Sequence, residues 1–228
     1  MHQLFFIVRN AECAVAEIVS FLLIIAVLAA GIGIYSTAVL PALEASAVEK
    51  QQSSITDELC GLKSDIDLLW SSGSPASICE TLLPRAAGYA GTAATVYFGP
   101  GTALSFNHSA GQETVFLASL SCTSPSFHAE KQTLLYEGGA VFYDEAALLP
   151  AAVGDTHAVL VVSNDAADVI LANTPIAVTA ACQQRTKYQD VSGIRVADSA
   201  QAAYWRSVLS GVSSITLCTI SFSAEAVP

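Results

Sequence analysis

Positive charge is what this chain has least of. Nine Lys and Arg stand against 20 Asp and Glu in 228 residues, a formal charge of −11. A surface this acidic, with no basic cluster, repels phosphate backbones and excludes nucleic acid as a partner. The signatures of catalysis are also missing: there is no G-x-S-x-G elbow, no phosphate-cradling glycine loop and no H-E-x-x-H. His2, His108, His128 and His157 are scattered without metal-ligand spacing. Asp65 and Asp67 are two apart on an expected helix, so they diverge and read as a solvated face. Asn164-Asp165 with Asp168 reads as a polar turn, because the pattern is not that of an EF-hand loop. These absences leave no expected cofactor, no metal and no enzyme. Internal repeats and low-complexity tracts are absent as well.

Cysteine is present but not as C-x-x-C, which removes the usual zinc and redox motifs. Of Cys13, Cys60, Cys79, Cys122, Cys182 and Cys218, the first stands apart beside a long apolar run. A Cys60–Cys79 disulfide would close a loop of about 20 residues, worth about 3 kcal/mol by chain entropy. Buried free thiols are the competing reading.

The apolar run is the dominant feature. It extends from Ala14 through Tyr35 and stays mostly apolar to Leu43. Ala14 to Leu40 is roughly 27 residues, or about 40 Å of helix, where a hydrocarbon core of about 30 Å needs about 20. It is too long for a secretory h-region, and a core helix would not be apolar on every face. A membrane helix is therefore expected, with membrane lipid as its first partner. Glu17 is the one carboxylate in the run. In lipid such a charge costs about 2.5–3.5 kcal/mol on insertion scales, so it either finds a partner or lies at the headgroup edge. Arg9 ahead of the helix, with Glu44 and Glu49 close behind it, favours an inner N-terminus and an outer head.

Arg9-Asn10-Ala11-Glu12-Cys13, a hydrophobic helix and Glu17 a few places in resemble the class III signal peptide of archaeal type IV pilins and archaellins. Ile34 to Glu44 resembles the exit segment of such proteins, and Tyr136-Glu137-Gly138-Gly139-Ala140-Val141 and Ala202-Ala203-Tyr204-Trp205-Arg206 resemble parts of their heads. The resemblance implies a prepilin peptidase as partner, cutting at Ala11/Glu12 or Glu12/Cys13. It also implies that Glu17 sets register against a neighbouring N-terminus, and that Ile18, Phe21, Leu22, Ile25, Leu28 and Ile32 pack against sister helices.

Pro41 predicts a kink. Beyond it Ile55, Leu59, Leu62, Ile66 and Leu69 form a heptad-type stripe, with Asp57, Glu58, Lys63, Asp65 and Asp67 on the other face. Ser71-Ser72-Gly73-Ser74-Pro75 ends the helix. Strands are expected over 92–98, 102–107, 114–121, 133–136, 140–143, 157–163, 168–172, 176–181 and 215–223, with turns at Gly99-Pro100-Gly101 and Glu137-Gly138-Gly139. A late helix over 199–209 would be capped by Asp198 or Ser199, with Ala203, Tyr204 and Val208 on one side. Asn107-His108-Ser109 is a glycosylation sequon on an expected turn.

The expected fold class is α+β: a leader over 1–12, a long hydrophobic then amphipathic helix over 13–70, and a mainly antiparallel, β-sandwich-like, pilin-like head over 76–228. The expected function is a subunit of a pilus-like surface filament whose main partner is itself. The alternative is a single-pass surface binding or adhesion module that does not polymerise.

Overall fold

The computed structural model describes residues 19–72, 77–82, 94–124, 132–164, 166–172 and 176–226. The chain divides into two compact units, Met1–Ser46 and Ala47–Pro228.

In the first unit, helix α1 covers residues 19–34, a π-helical segment follows at Tyr35–Val39, and helix α2 begins at Leu40 and runs to Ser72. The π segment answers a problem set by Pro41. A proline has no N–H to give and its ring clashes with the carbonyl one turn back. Widening the turn by one residue lets the Leu40 N–H reach the Tyr35 carbonyl and relieves that clash. The hydroxyls of Ser36 and Thr37 both donate to the Gly33 carbonyl, at 3.1 and 2.7 Å. The backbone departure expected at Pro41 thus lies just ahead of it.

The second unit begins within α2. Ile55, Leu59, Leu62, Ile66 and Leu69 are all buried, as their spacing requires. Burying each side chain of this size stabilises the fold by about 1.5–3 kcal/mol. Lys63 differs from expectation. It is buried rather than solvated, because its ammonium pairs with Asp67, which also accepts from Trp70 Nε1.

Among the described residues eleven strands follow: β1 (Ser77–Leu82), β2 (Ala94–His108), β3 (Gly111–Ser124), β4 (Gln132–Glu137), β5 (Ala140–Tyr143), β6 (Ala146–Leu149), β7 (His157–Val162), β8 (Asp168–Ala172), β9 (Ile176–Tyr188), β10 (Ser192–Val196) and β11 (Ser214–Ala226). Helix α3 (Ala202–Val208) precedes the last. The strands form one curled, mixed sheet in the order β1-β9-β11-β7-β3-β4-β5-β6, with β2 beside β3 and flanked by β8 and β10. β11 and β7 are parallel and the other strand pairs antiparallel. β7 meets β3 through a single pair, Val162 and Leu117, so the sheet divides there into two blocks.

Two cores fill the curl. The first packs the α2 stripe against Val96, Leu120, Tyr136, Val178, Cys218 and Ile220. The second gathers Leu104, Phe106, Leu117, Phe142, Leu160 and Trp205.

Three expectations change here. Gly99-Pro100-Gly101 is no turn: it lies inside β2, where a bulge sets Pro100 against Ala118 and Ala103 against Phe116. Pro100 falls in the gap between the β8 pairing, which ends at Phe98, and the β10 pairing, which starts at Leu104. A proline is tolerated there because no ladder partner needs its N–H. Neither Asp198 nor Ser199 caps α3, because Asp198 pairs with Arg206 and the Ser199 hydroxyl bonds Thr102. The buried side of α3 is Ala202 and Trp205, continued by Leu209, while Ala203 is exposed.

Candidate functional site

Two features carry chemical information: the apolar helix and a buried carboxylate in the head.

Val19 to Leu43 is a 25-residue helical stretch with mean hydropathy 2.3, none of it buried within the protein. It contains no Asp, Glu, Lys, Arg or His. Its length of about 37 Å exceeds a hydrocarbon core of about 30 Å, so the helix is long and apolar enough to cross a membrane. Phe21, Leu22, Ile25, Leu28 and Ile32 all point outward, with Ile32 68% exposed. The Ser36 and Thr37 hydroxyls are turned back onto Gly33, so these polar groups need no water. Gly31 and Gly33 have open space where a side chain would stand. Small residues at Ala26 and Ala30, and at Ala29 and Gly33, repeat at four-residue spacing, which lets a second helix approach closely. Ala11, Glu12, Cys13, Glu17 and Ile18 lie outside the described residues.

The head feature is Glu137, a carboxylate that is only 3% exposed. Its Oε1 accepts from Trp205 Nε1 at 2.7 Å and from the Thr102 hydroxyl at 2.8 Å, and its Oε2 accepts from the Thr102 backbone N–H at 3.2 Å. Because the one Thr102 hydroxyl proton goes to Glu137, Ser199 Oγ, 2.7 Å away, donates to Thr102. The bulge in β2 presents Thr102, the end of β4 supplies Glu137 and α3 supplies Trp205. Two glycines make room. A Cβ on Gly101 would lie 2.5 Å from Glu137 Oε2, and one on Gly138, at φ 60°, would lie 2.9 Å from both Leu117 and Trp205. A carboxylate enclosed by three donors has no substrate access. It joins β2, β4 and α3, and removal of one donor would leave buried charge under-satisfied.

Sequence reasoning singled out the segments carrying Glu137 and Trp205 separately, and the structure brings them into hydrogen-bond contact. It missed Thr102, because a threonine in a strand pattern carries no signal until the bulge turns it inward.

The remaining residues are placed as follows. Asn107 is exposed but lies within β2, paired with Gln112 of β3 and Ser192 of β10, so the sequon begins in a strand and only Ser109 falls on the turn expected for it. His157 Nδ1 lies 2.7 Å from Ser214 Oγ and its Nε2 lies 3.3 Å from Thr216 Oγ1, so both ring nitrogens are engaged by hydroxyls of the neighbouring strand. Cys60 is a half-buried free thiol, and the side chain of Cys79 lies outside the described residues. Among the described residues no group of three or more His, Cys, Asp or Glu is placed to hold a metal.

Comparison with protein-family models, with curated proteins and with solved structures finds no match to this chain.

Proposed function

We propose that the chain is a structural subunit of a pilus-like surface filament, held in the membrane as a precursor by its N-terminal helix and assembled through that helix. The observation that carries this reading is the helix Val19–Leu43, apolar on all sides and with none of it buried among the described residues. Lipid covers such a surface first. Sister helices cover it equally well, and the small residues at Ala26, Ala29, Ala30 and Gly33 suit close packing. Identical subunits that meet through a non-closing contact build a filament. The resemblance of residues 9–13 to a class III leader supports cleavage ahead of the helix. The head, with an acidic composition and Asn107 exposed at a hairpin, then forms the outer surface and carries a glycan at that residue.

N-terminal sequencing of the mature protein, combined with sedimentation of sheared surface material, tests the reading. A start at Glu12 or Cys13 in a sedimenting polymer is expected. Full-length, unassembled monomer in native membranes would overturn it. Glu17→Gln separates a register-setting carboxylate from a plain anchor: assembly falls in the first case, and membrane insertion is unchanged or improved in the second.

A further inference from the structure

We propose that Cys182 and Cys218 are a redox pair that closes to a disulfide joining β9 to β11 inside the head.

The Sγ atoms lie 3.3 Å apart. In a regular antiparallel ladder, residues placed diagonally sit about 7–8 Å apart, beyond the usual Cα spacing of about 4.4–6.8 Å for a disulfide. Cys182 and Cys218 are such a diagonal pair, because Cys182 faces Ile220 and Cys218 faces Arg185. The ladder is not regular at this point. Thr219 faces Gln184 while Ile220 faces Cys182, so Gln183 is an extra residue and β9 is bulged beside Cys182. The two sulfurs meet across that irregularity, on the face of the sheet that carries the α2 core. From 3.3 Å, closure to a bond of about 2.05 Å needs side-chain movement of little more than 1 Å.

The two thiols are unequal in a way that orders the chemistry. Cys218 is fully buried, and burial first, then its hydrogen bond with Cys182, push its thiol up to about 12. Cys182 is half-buried at the edge of the core and is the more accessible of the two sulfurs. The oxidant is a disulfide-bearing exchange partner. The Cys182 thiolate attacks one sulfur of that disulfide, which forms a mixed disulfide and expels one thiolate. Cys218 then loses its proton to solvent base and attacks Cys182 Sγ, and the bond to the partner breaks as the second thiolate leaves. The pair loses two protons and two electrons, and the partner's disulfide gains the two electrons. Of the other described cysteines, Cys122 is a buried thiol pushed up to about 12, chiefly by desolvation, and Cys60 is a half-buried thiol on α2, so the variant Cys60→Ser is the control for competition.

The chemistry depends on the head alone. Its occurrence in cells rests on the reading of an exported head, and the experiment keeps the two apart. Full-length protein in detergent is reduced, freed of reductant, incubated with oxidised glutathione, denatured, alkylated with N-ethylmaleimide and mapped by peptide mass. The expected product is one linked peptide pair joining Cys182 to Cys218, lighter by two hydrogens, resistant to alkylation and reopened by reductant. Cys60→Ser is expected to leave that link intact. A stable glutathione adduct on Cys182 with Cys218 alkylated, or a link from either residue to a different cysteine, overturns the proposal. The same mapping on acid-quenched native membranes reports the compartment rather than the pair.

Discussion

The same helical run is apolar twice, to opposite effect. Between Val19 and Leu43 it is apolar on every side and its side chains are bare, Phe21 being 62% exposed. Between Ile55 and Leu69 it is apolar along one stripe only, and that stripe is covered, Leu59 and Leu62 being 0% exposed. A stripe declares a partner on one side, and here the partner is the sheet of the same chain. A surface apolar all round declares a surrounding medium, and among the described residues none of this stretch is buried.

Separating the two stretches should give the largest effect. The fragment Ala47–Pro228, which keeps the stripe and the sheet, is expected to fold in plain buffer, whereas the full chain is expected to partition wholly into detergent or membranes. Phase partition with circular dichroism measures both, and a fragment that is insoluble or unfolded would break the distinction. Next is the lock at the far core. Trp205→Ala removes a fully buried indole and one donor to Glu137, and should lower head stability by about 3–5 kcal/mol in thermal or denaturant unfolding. Leu62→Ala should lower it by about 2–5 kcal/mol. Leu22→Ala, the same chemistry on the uncovered stretch, should change head unfolding by less than about 0.5 kcal/mol. An equal loss from both leucines would mean that the two stretches share one environment.

A smaller effect than that of Trp205 or Leu62 concerns a phenol in the first core. The Tyr136 hydroxyl is buried with no hydrogen-bond partner among the described residues. Tyr136→Phe should therefore raise stability by about 1 kcal/mol. Burial also holds the Tyr136 phenol well above its ordinary value of 10.0, with the nearby Asp67 adding to the shift. The unfolded chain then ionises first. This contribution is complete below pH 10 and is lost as pH rises from there toward the folded value. Tyr136→Phe should flatten the alkaline limb of the stability curve, and an unchanged limb would rule this out.

What could be read in advance follows from which signals are local. The α2 stripe was legible because its 4-3-4-3 spacing survives any tertiary context, and β5 because Gly138-Gly139 marks its start. β1, β6 and β10 were not foreseen. Ala146-Ala147-Leu148-Leu149 favours helix by composition and is a strand because β5 offers an edge to pair with. Gly99-Pro100-Gly101 reads as a turn by composition, and β2 runs through it because Pro100, paired with Ala118 on one side, falls on the other side in the gap between the β8 and β10 pairings. Lys63 was read as solvated, since nothing in the sequence shows that Asp67 accompanies it inward. Glu137 and Trp205 were visible as motifs, but their meeting depends on a bulge 35 residues away from Glu137 in sequence. The cysteines show the same limit. The sulfurs of Cys182 and Cys218, 36 residues apart, meet through strand register, which no cysteine spacing announces.

The position of β11 has a consequence for how the head is made. It lies between β9 and β7, yet it is later in the chain than both. While a ribosome is still adding residues before Ser214, β1 and β9 can pair with each other but have no route to the remaining strands. The two halves must wait, with apolar edges open, for one late segment to slide in and seal them. Any holdase acting on the nascent protein would find its target during that interval, and truncation before Ser214 would strand it there.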